Sequence, residues 1–275
     1  MTSAQANGIT IEYEVVGSQS DPPMLLVMGF GGQLVFWPRP FVEQLAQRGF
    51  QTIIYDNRDV GLSTKFDNPG YSLDDMADDG MGLLDALGIE SAHVVGASMG
   101  GYIAQRMAVR YAARVRTLCS VMSTTGDPTL PPPRPEIAGA LVPATPASRE
   151  EAIDQAVASA RLIGSPGFPF DEDAARRRAA VSYDRCFHPA GRLGHAFAVA
   201  TAPDHTAELA ELRLPTLVIH GGDDPLVSPL GGEATARAIP GARLVMIPGM
   251  GHDLPEGTWT TVVDAIVANA DRAGT

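Results

Sequence analysis

Lysine is almost absent from this chain: Lys65 is the only one, and arginine supplies the rest of the 20 basic residues. That scarcity reads as genome composition and carries no functional weight. Set against 32 acidic residues, the basic ones leave a net charge of −12. Such a balance excludes the basic surface needed to hold nucleic acid or an anionic membrane. Cysteine is scarce as well, with only Cys119 and Cys186. A disulfide framework shows more cysteines in a shorter chain. Cys119 lies in the apolar run "VRTLCSVM", which reads as a buried strand, so a bridge is not expected. No apolar stretch reaches the ~18 residues of a membrane span. The opening "MTSAQANGITIEYE" lacks a basic region followed by an apolar one, so no signal peptide is expected and the expected location is the cytoplasm. There is no internal repeat.

What is present is a chain of 275 residues, 45% of them hydrophobic, enough to bury a large core. Short apolar runs alternate with helical patterns. "ITIEYEVVG" (9–17) alternates with period two, as a half-buried strand does. "PMLLVMG" (23–29), "QTIIYD" (51–56), "SAHVVGA" (91–97) and "VRTLCSVMS" (115–123) read as further strands. Helices are expected over 39–50, over 72–88 with a Ser cap and an acidic first turn, and over 99–115. Such alternation with short links implies a parallel sheet with helices on both faces. The rhythm breaks from Gly126 to about Pro203. There, proline-rich 127–146 reads as extended or irregular, and 148–164, 171–187 and 190–202 read as helices. Strand and helix resume with "LPTLVIHG" (214–221), 228–239, "ARLVMIPG" (242–249) and 256–270. The expected architecture is one α/β core, 1–125 with 204–275, interrupted by a helical insertion, 126–203.

"VVGASMGGYIAQ" (94–105) places a serine between glycines where a strand should meet a helix. Gly96-Ala97-Ser98-Met99-Gly100 is a G-x-S-x-G pattern in the context that gives it meaning. With 29 Gly and 14 Ser in the chain, roughly 0.15 chance matches are expected, and requiring strand and helix around the match lowers that severalfold. In such an elbow the serine backbone is strained and its hydroxyl stands at the carboxyl edge of the sheet. The helix N-terminus behind it offers unpaired N–H groups.

A serine nucleophile needs a base, a group to orient that base, and an oxyanion site. Of the six histidines, His93 lies inside a strand, and His188, His195 and His205 lie in or beside the insertion, where surface or capping roles are usual. His220 ends a strand, and its side chain can point into the core. His252 follows "IPGMGH", a glycine-rich loop leaving the same edge as Ser98, and is the expected base. The orienting carboxylate comes from "HGGDDPLVSP" (220–229). Asp223 and Asp224 both leave the right edge, and the local pattern keeps both in play, with Pro225 giving Asp224 a small advantage. A metal role for this pair lacks the further ligands that would complete a shell. For the oxyanion, the N–H after the nucleophile belongs to Met99, and "VMGFGGQ" (27–33) is the early glycine loop whose Phe30 N–H is the expected second donor. In the adjoining "YDNRDVGLST" (55–64), Asp56 and Arg58 are expected to pair and brace the loops.

The order Ser98, Asp224, His252, with a helical insertion before the acid, resembles the α/β-hydrolase superfamily. "LLVMGFGGQLVFWP", "IIYDNRDVGLST", "HVVGASMGGYIAQ", "PTLVIHGGDDPLV" and "IPGMGHDLP" are similar to a bacterial carboxylesterase group that includes anthracycline methylesterases. The resemblance covers roughly 8–123 and 205–272. It implies that the acid ends the run Gly221-Gly222-Asp223-Asp224, and so selects Asp224. It also implies that the insertion is the cap over the active site. Where many relatives carry His-Gly in the first oxyanion loop, this chain has Met28-Gly29, which leaves the backbone donor in place.

The expected function is hydrolysis of a small-molecule hydrophobic carboxylic ester through an acyl-enzyme, with no cofactor and no metal. The same parts serve carbon–carbon bond hydrolysis, perhydrolysis or acyl transfer. Dehalogenase and epoxide hydrolase chemistry is disfavoured, because those relatives carry aspartate at the position of Ser98. A non-catalytic receptor on the same fold is the reading from another class, and an undamaged triad argues against it. Selectivity is expected to lie in the insertion, with Leu141, Leu162, Ile163, Phe168 and Phe170 as candidate lining.

Overall fold

The apolar runs close into one eight-stranded sheet, and the alternation within each run decides which helix covers which face. In the computed structural model, which describes residues 2–67, 70–133, 135–139 and 144–274, the strands are β1 (Thr2–Ala6), β2 (Ile9–Val16), β3 (Pro23–Val27), β4 (Gln51–Tyr55), β5 (Ala92–Ala97), β6 (Val115–Val121), β7 (Thr216–Gly221) and β8 (Arg243–Ile247). Their order across the sheet is β1-β2-β4-β3-β5-β6-β7-β8. β1 and β2 run antiparallel to each other, and β2 antiparallel to β4, while every other pair is parallel.

The helices are α1 (Arg39–Gln47), α2 (Leu73–Ala86), α3 (Met99–Arg110), α4 (Pro135–Gly139), α5 (Arg149–Ile163), α6 (Glu172–Arg185), α7 (Gly191–Ala200), α8 (Thr206–Leu209), α9 (Pro229–Ala238) and α10 (Trp259–Ala270). In β3, Leu25 and Val27 pack with Met76 and Leu84 of α2 and Ile103 and Met107 of α3 on one face. Met24 and Leu26 pack with Phe41 and Leu45 of α1 and Val262 and Ile266 of α10 on the other. A strand covered on both faces must be apolar at every position, which is why β3 reads as a continuous run. Local signals start the helices. Ser72 and Asp75 form a reciprocal capping box at α2, and Ser148 and Asp171 cap α5 and α6.

Three elements depart from the sequence reading. β1 has no apolar rhythm in the sequence, yet it pairs with β2 through Asn7-Gly8, whose φ angles of +49° and +78° suit a tight hairpin turn. The stretch expected to be extended or irregular contains the short helix α4, and α8 follows His205. Among the described residues no helix is long and apolar enough to cross a membrane.

β4 lies on one side of β3, whereas β5 through β8 fill the other. The loops leaving β3 and β5 are therefore neighbours at the carboxyl edge, where strand order reverses and a crevice opens. Between β6 and β7 the chain runs through α4 to α8. Of these, α5 and α6 share a small apolar cluster of Ile153, Val157, Ala175 and Ala179.

Candidate active site

The sharp turn at Ser98 follows from how closely β5 and α3 approach. Ser98 has φ 57° and ψ −125°, a conformation that side-chain-bearing residues rarely adopt. Its N–H is held by Val121 O at 2.9 Å, and the amides of Gly101 and Tyr102 turn back onto Ser98 O. A Cβ at Gly96 would lie 2.0 Å from Gly100 O, and one at Gly100 would lie 2.1 Å from Val27 O. Only glycine fits at either place, and the result pushes the N-terminus of α3 against the end of β3.

The loop after β8 carries His252 over that turn. Its Nε2 lies 2.9 Å from Ser98 Oγ, and its Nδ1 lies 2.7 Å from Asp224 Oδ2. Asp224 is buried, and its Oδ1 accepts the N–H groups of Leu226 and Val227, both at 2.9 Å. Burial opposes its charge, but the nearby His252 and hydrogen bonds from His220, His252 and Val227 outweigh that and hold the carboxyl well below the usual range. The carboxylate therefore stays ionised and fixes Nδ1 as the protonated nitrogen, leaving Nε2 free to accept from the serine hydroxyl. Asp223 faces elsewhere: it is exposed, and its Oδ2 accepts Gly249 N–H at 2.8 Å, fastening the loop that carries His252. The two carboxylates are thus engaged on different donors.

Opposite the hydroxyl lies the loop after β3. A Cβ at Gly29 would come within 3.0 Å of Ser98 Cβ, so this backbone runs directly beside the serine. Within the loop, Gly32 N–H bonds to Gly29 O and Gly31 N–H bonds to His195 Nδ1. Among the described residues, Phe30 N–H and Met99 N–H have no hydrogen-bond partner. Two unpaired amides thus lie in the segments adjoining a serine whose hydroxyl is already bonded to an imidazole.

The remaining sequence candidates fall in other places. His220 is fully buried behind the acid, 3.4 Å from Asp224 Oδ2, with Nε2 on Val227 O. A Cβ at Gly232 would meet its ring at 2.5 Å, which accounts for a glycine in the first turn of α9. His93 is buried in β5 on Thr117 Oγ1. His195 and His205 are buried rather than surface residues, because α7 and the start of α8 press onto the core loops. The expected Asp56–Arg58 pair is not formed. Arg58 instead makes two hydrogen bonds to Asp79 at 2.6 and 2.8 Å, between the rings of Phe66 and Tyr71. Asp56 accepts Leu34 N–H and Leu62 N–H and pairs with Arg185 of α6 at 3.0 Å. Neighbouring charges in sequence leave a loop in different directions, and local spacing does not reveal their partners.

The residues expected to line the pocket take several positions. Leu162 is 44% exposed. Phe168 packs onto the core beside Trp259 and Leu254, and Phe170 lies under the Arg161 guanidinium. Ile163 contributes through its backbone, its carbonyl accepting His252 N–H at 2.7 Å. Leu141 lies outside the described residues. Cys119 and Cys186 are both free thiols.

Comparison with known proteins agrees with this architecture. Residues 22–256 match the family described as alpha/beta hydrolase fold. The rhodomycin D methylesterase DauP of Streptomyces sp. (strain C5) is 33% identical over 96% of each chain. The rhodomycin D methylesterase DnrP of Streptomyces peucetius is 32% identical, again over 96% of each. Among solved structures, a thermophilic esterase from Thermogutta terrifontis superposes with a TM-score of 0.74 at 27% identity, covering 100% of this chain and 99% of that one.

Proposed function

The chain belongs to the alpha/beta hydrolase fold family, and we propose that within it the protein is a serine carboxylesterase acting on a hydrophobic ester through an acyl-enzyme. The observation that carries this reading is the continuous chain from Ser98 Oγ to His252 Nε2 at 2.9 Å and from His252 Nδ1 to Asp224 Oδ2 at 2.7 Å, set beside two unpaired amides.

Ser98 Oγ attacks the ester carbonyl carbon while His252 Nε2 takes its proton. The carbonyl oxygen becomes an oxyanion and receives the N–H groups of Phe30 and Met99, which are oriented before the charge develops. Asp224 keeps the imidazole in the right tautomer and stabilises the imidazolium. Collapse of the intermediate breaks the bond to the alcohol oxygen, which leaves with the proton from His252. Water then gives a proton to His252, attacks the acyl carbon, and releases the acid and a restored serine.

The helices between β6 and β7, taken as a cap spanning 126–203, would form the far wall of the substrate cleft. The likeness to two methylesterases supports ester hydrolysis over carbon–carbon bond hydrolysis, perhydrolysis or acyl transfer, and makes methyl esters the first substrates to try. An intact hydrogen-bonded chain favours an enzyme over a non-catalytic receptor.

A panel of p-nitrophenyl and methyl esters, assayed with wild type and Ser98→Ala, tests the reading. Turnover is expected to fall by roughly 10⁵- to 10⁶-fold in the variant, and a fluorophosphonate should add to the peptide bearing Ser98. An adduct on another residue, or Ser98→Ala with wild-type turnover, would reject it.

A further inference from the structure

An oxyanion donor works only if its direction is fixed, and the loop carrying Phe30 has little of its own to fix it. Phe30 is flanked by Gly29, Gly31 and Gly32, and Gly31 sits at φ +64°. Glycine adopts many conformations, so a loop of this composition needs outside restraint. That restraint comes from α7. His195 is fully buried, with Nδ1 3.0 Å from Gly31 N and Nε2 2.9 Å from Arg58 O. A backbone amide only donates and a carbonyl only accepts. The two partners therefore demand one ring state: Nδ1 bare, Nε2 protonated, no net charge. Burial disfavours the charged imidazolium and holds the ring neutral, the nearby Arg192 and Arg58 working in the same direction and Asp59 and the Arg58 carbonyl against it.

The ring is also held in its plane. Phe30 meets it edge to face at 6.0 Å, and Tyr71 does so at 6.4 Å. At the start of α7 the backbone presses on the loop after β4, since a Cβ at Gly191 would lie 2.0 Å from Asp59 O. One side chain thus ties the loop after β3 to the loop after β4 across a helix that belongs to neither. It also selects a donor. Of the three amides from Phe30 to Gly32, Gly31 N–H is taken by His195 and Gly32 N–H by Gly29 O, which leaves Phe30 N–H as the unpaired one, next to the Gly29 backbone that runs beside Ser98.

We propose that His195 is a positioning residue for the oxyanion site: by holding the Phe30–Gly31 peptide it aims the Phe30 amide at the carbonyl oxygen under attack. This rests on the serine-esterase reading above. The bland alternative is that His195 merely docks α7, in which case its loss lowers stability but leaves turnover per folded molecule unchanged.

The experiment compares His195→Leu, which removes both polar atoms, with His195→Gln, whose amide accepts and donates in the same sense. On a methyl or p-nitrophenyl ester, His195→Leu should lower kcat about ten- to a hundredfold with KM within twofold, less than the loss of a whole donor. Affinity for a boronic acid transition-state analogue should fall by the same factor, while affinity for the product carboxylate should hold. His195→Gln should recover most of kcat. A folded His195→Leu with unchanged kcat, a loss confined to KM, or a Gln variant no better than Leu would each overturn the proposal. Should the Leu variant fail to fold, imidazole ¹⁵N shifts of the wild-type protein decide. A protonated Nε2 with Nδ1 coupled to the Gly31 amide supports the assignment, and a protonated Nδ1 refutes it. Fluorophosphonate labelling separates the two failures: wild type that does not label at Ser98 rejects the esterase reading, whereas labelling with full turnover in His195→Leu rejects only the role of His195.

Discussion

The sheet with its edge loops and the helices between β6 and β7 are built on different physics. β3 and β5 are buried on both faces by large apolar clusters. Among the described residues, α5 and α6 share a small buried cluster of Ile153, Val157, Ala175 and Ala179, and α7 leaves Leu193 59% and Phe197 47% exposed. The inserted helices and their links meet the sheet partly through apolar side chains, Phe168, Ala198 and Leu209 among them, and partly through directed polar contacts. Arg185 reaches Asp56, Gln33 Nε2 caps the last carbonyls of α6 at Ser182 and Cys186, Ile163 O holds His252 N–H, and His195 holds Gly31 N–H. The lesson is a division of labour: apolar burial makes the sheet edge rigid, and directional bonds from the inserted helices tune the loops standing on it. A directional bond corrects an angle at little cost in apolar contact, which suits loops whose backbone must point at a reacting atom.

The widest separation expected between neighbouring positions is at the edge itself. Asp224→Asn should lower kcat by about 10³–10⁴, because the imidazole then takes the wrong tautomer. Asp223→Asn, which only loosens the bond to Gly249 N–H, should cost far less. Steady-state kinetics of the two folded variants checks the ranking, and a reversed order would move the orienting role to Asp223.

Next in size is the buried ion pair of Arg58 and Asp79, whose side chains are 7% and 1% exposed. Asp79→Ala strands a guanidinium in the interior and should destabilise by about 3–5 kcal/mol in urea titrations. On the inserted helices, Asp184→Ala breaks the exposed pair with Arg149 and should leave the midpoint unmoved. Equal effects would mean the inserted helices are as tightly integrated as the sheet.

Apolar truncation should give the same ranking on a smaller scale. Leu25→Ala, at a fully buried position of β3, should cost about 2–5 kcal/mol. Ile153→Ala, in a cluster of four residues with room to relax, should fall at the low end of that range, about 2 kcal/mol.

The most gradual expected effect is a slope. Burial pushes His93 and His205 down to about 4, against about 6.5 in the unfolded chain. Between those values the unfolded state binds protons that the folded state refuses. Stability is therefore full above about 6.5 and falls as pH drops toward 4, by up to ~1.4 kcal/mol per pH unit for each ring. Thermal melts across that window should show the slope, and His93→Asn should flatten it. An unchanged slope would assign the acid sensitivity elsewhere.

Reading from residues alone worked where short-range patterning carries the information. The strands β3 and β5 were legible because double-sided burial writes a continuous apolar run. The turn at Ser98 was legible because glycine is forced wherever two backbones come within a Cβ of each other. β1 was missed although Asn7-Gly8 marks its hairpin, since "TSAQA" is too polar to show an apolar rhythm at the edge of a sheet. The Asp56–Arg58 pairing failed for another reason: adjacent charges diverge when the loop turns, and Arg58 finds Asp79 on α2 while Asp56 finds Arg185 on α6.

By itself the sequence determined the α/β layering, the sharp turn carrying Ser98, and the set of loops able to supply an imidazole and a carboxylate, because these depend on periodicity and on glycine sterics that act over a few residues. Local pattern left Asp223 and Asp224 both in play, and resemblance selected Asp224; the tertiary structure places Asp224 against His252, and only it decided that His220 stands behind the acid and that His195 reaches Gly31 from 164 positions away. Those contacts are set by how separate elements meet in space, and a hydrogen bond is directional over less than an ångström. No pattern local to either partner encodes that.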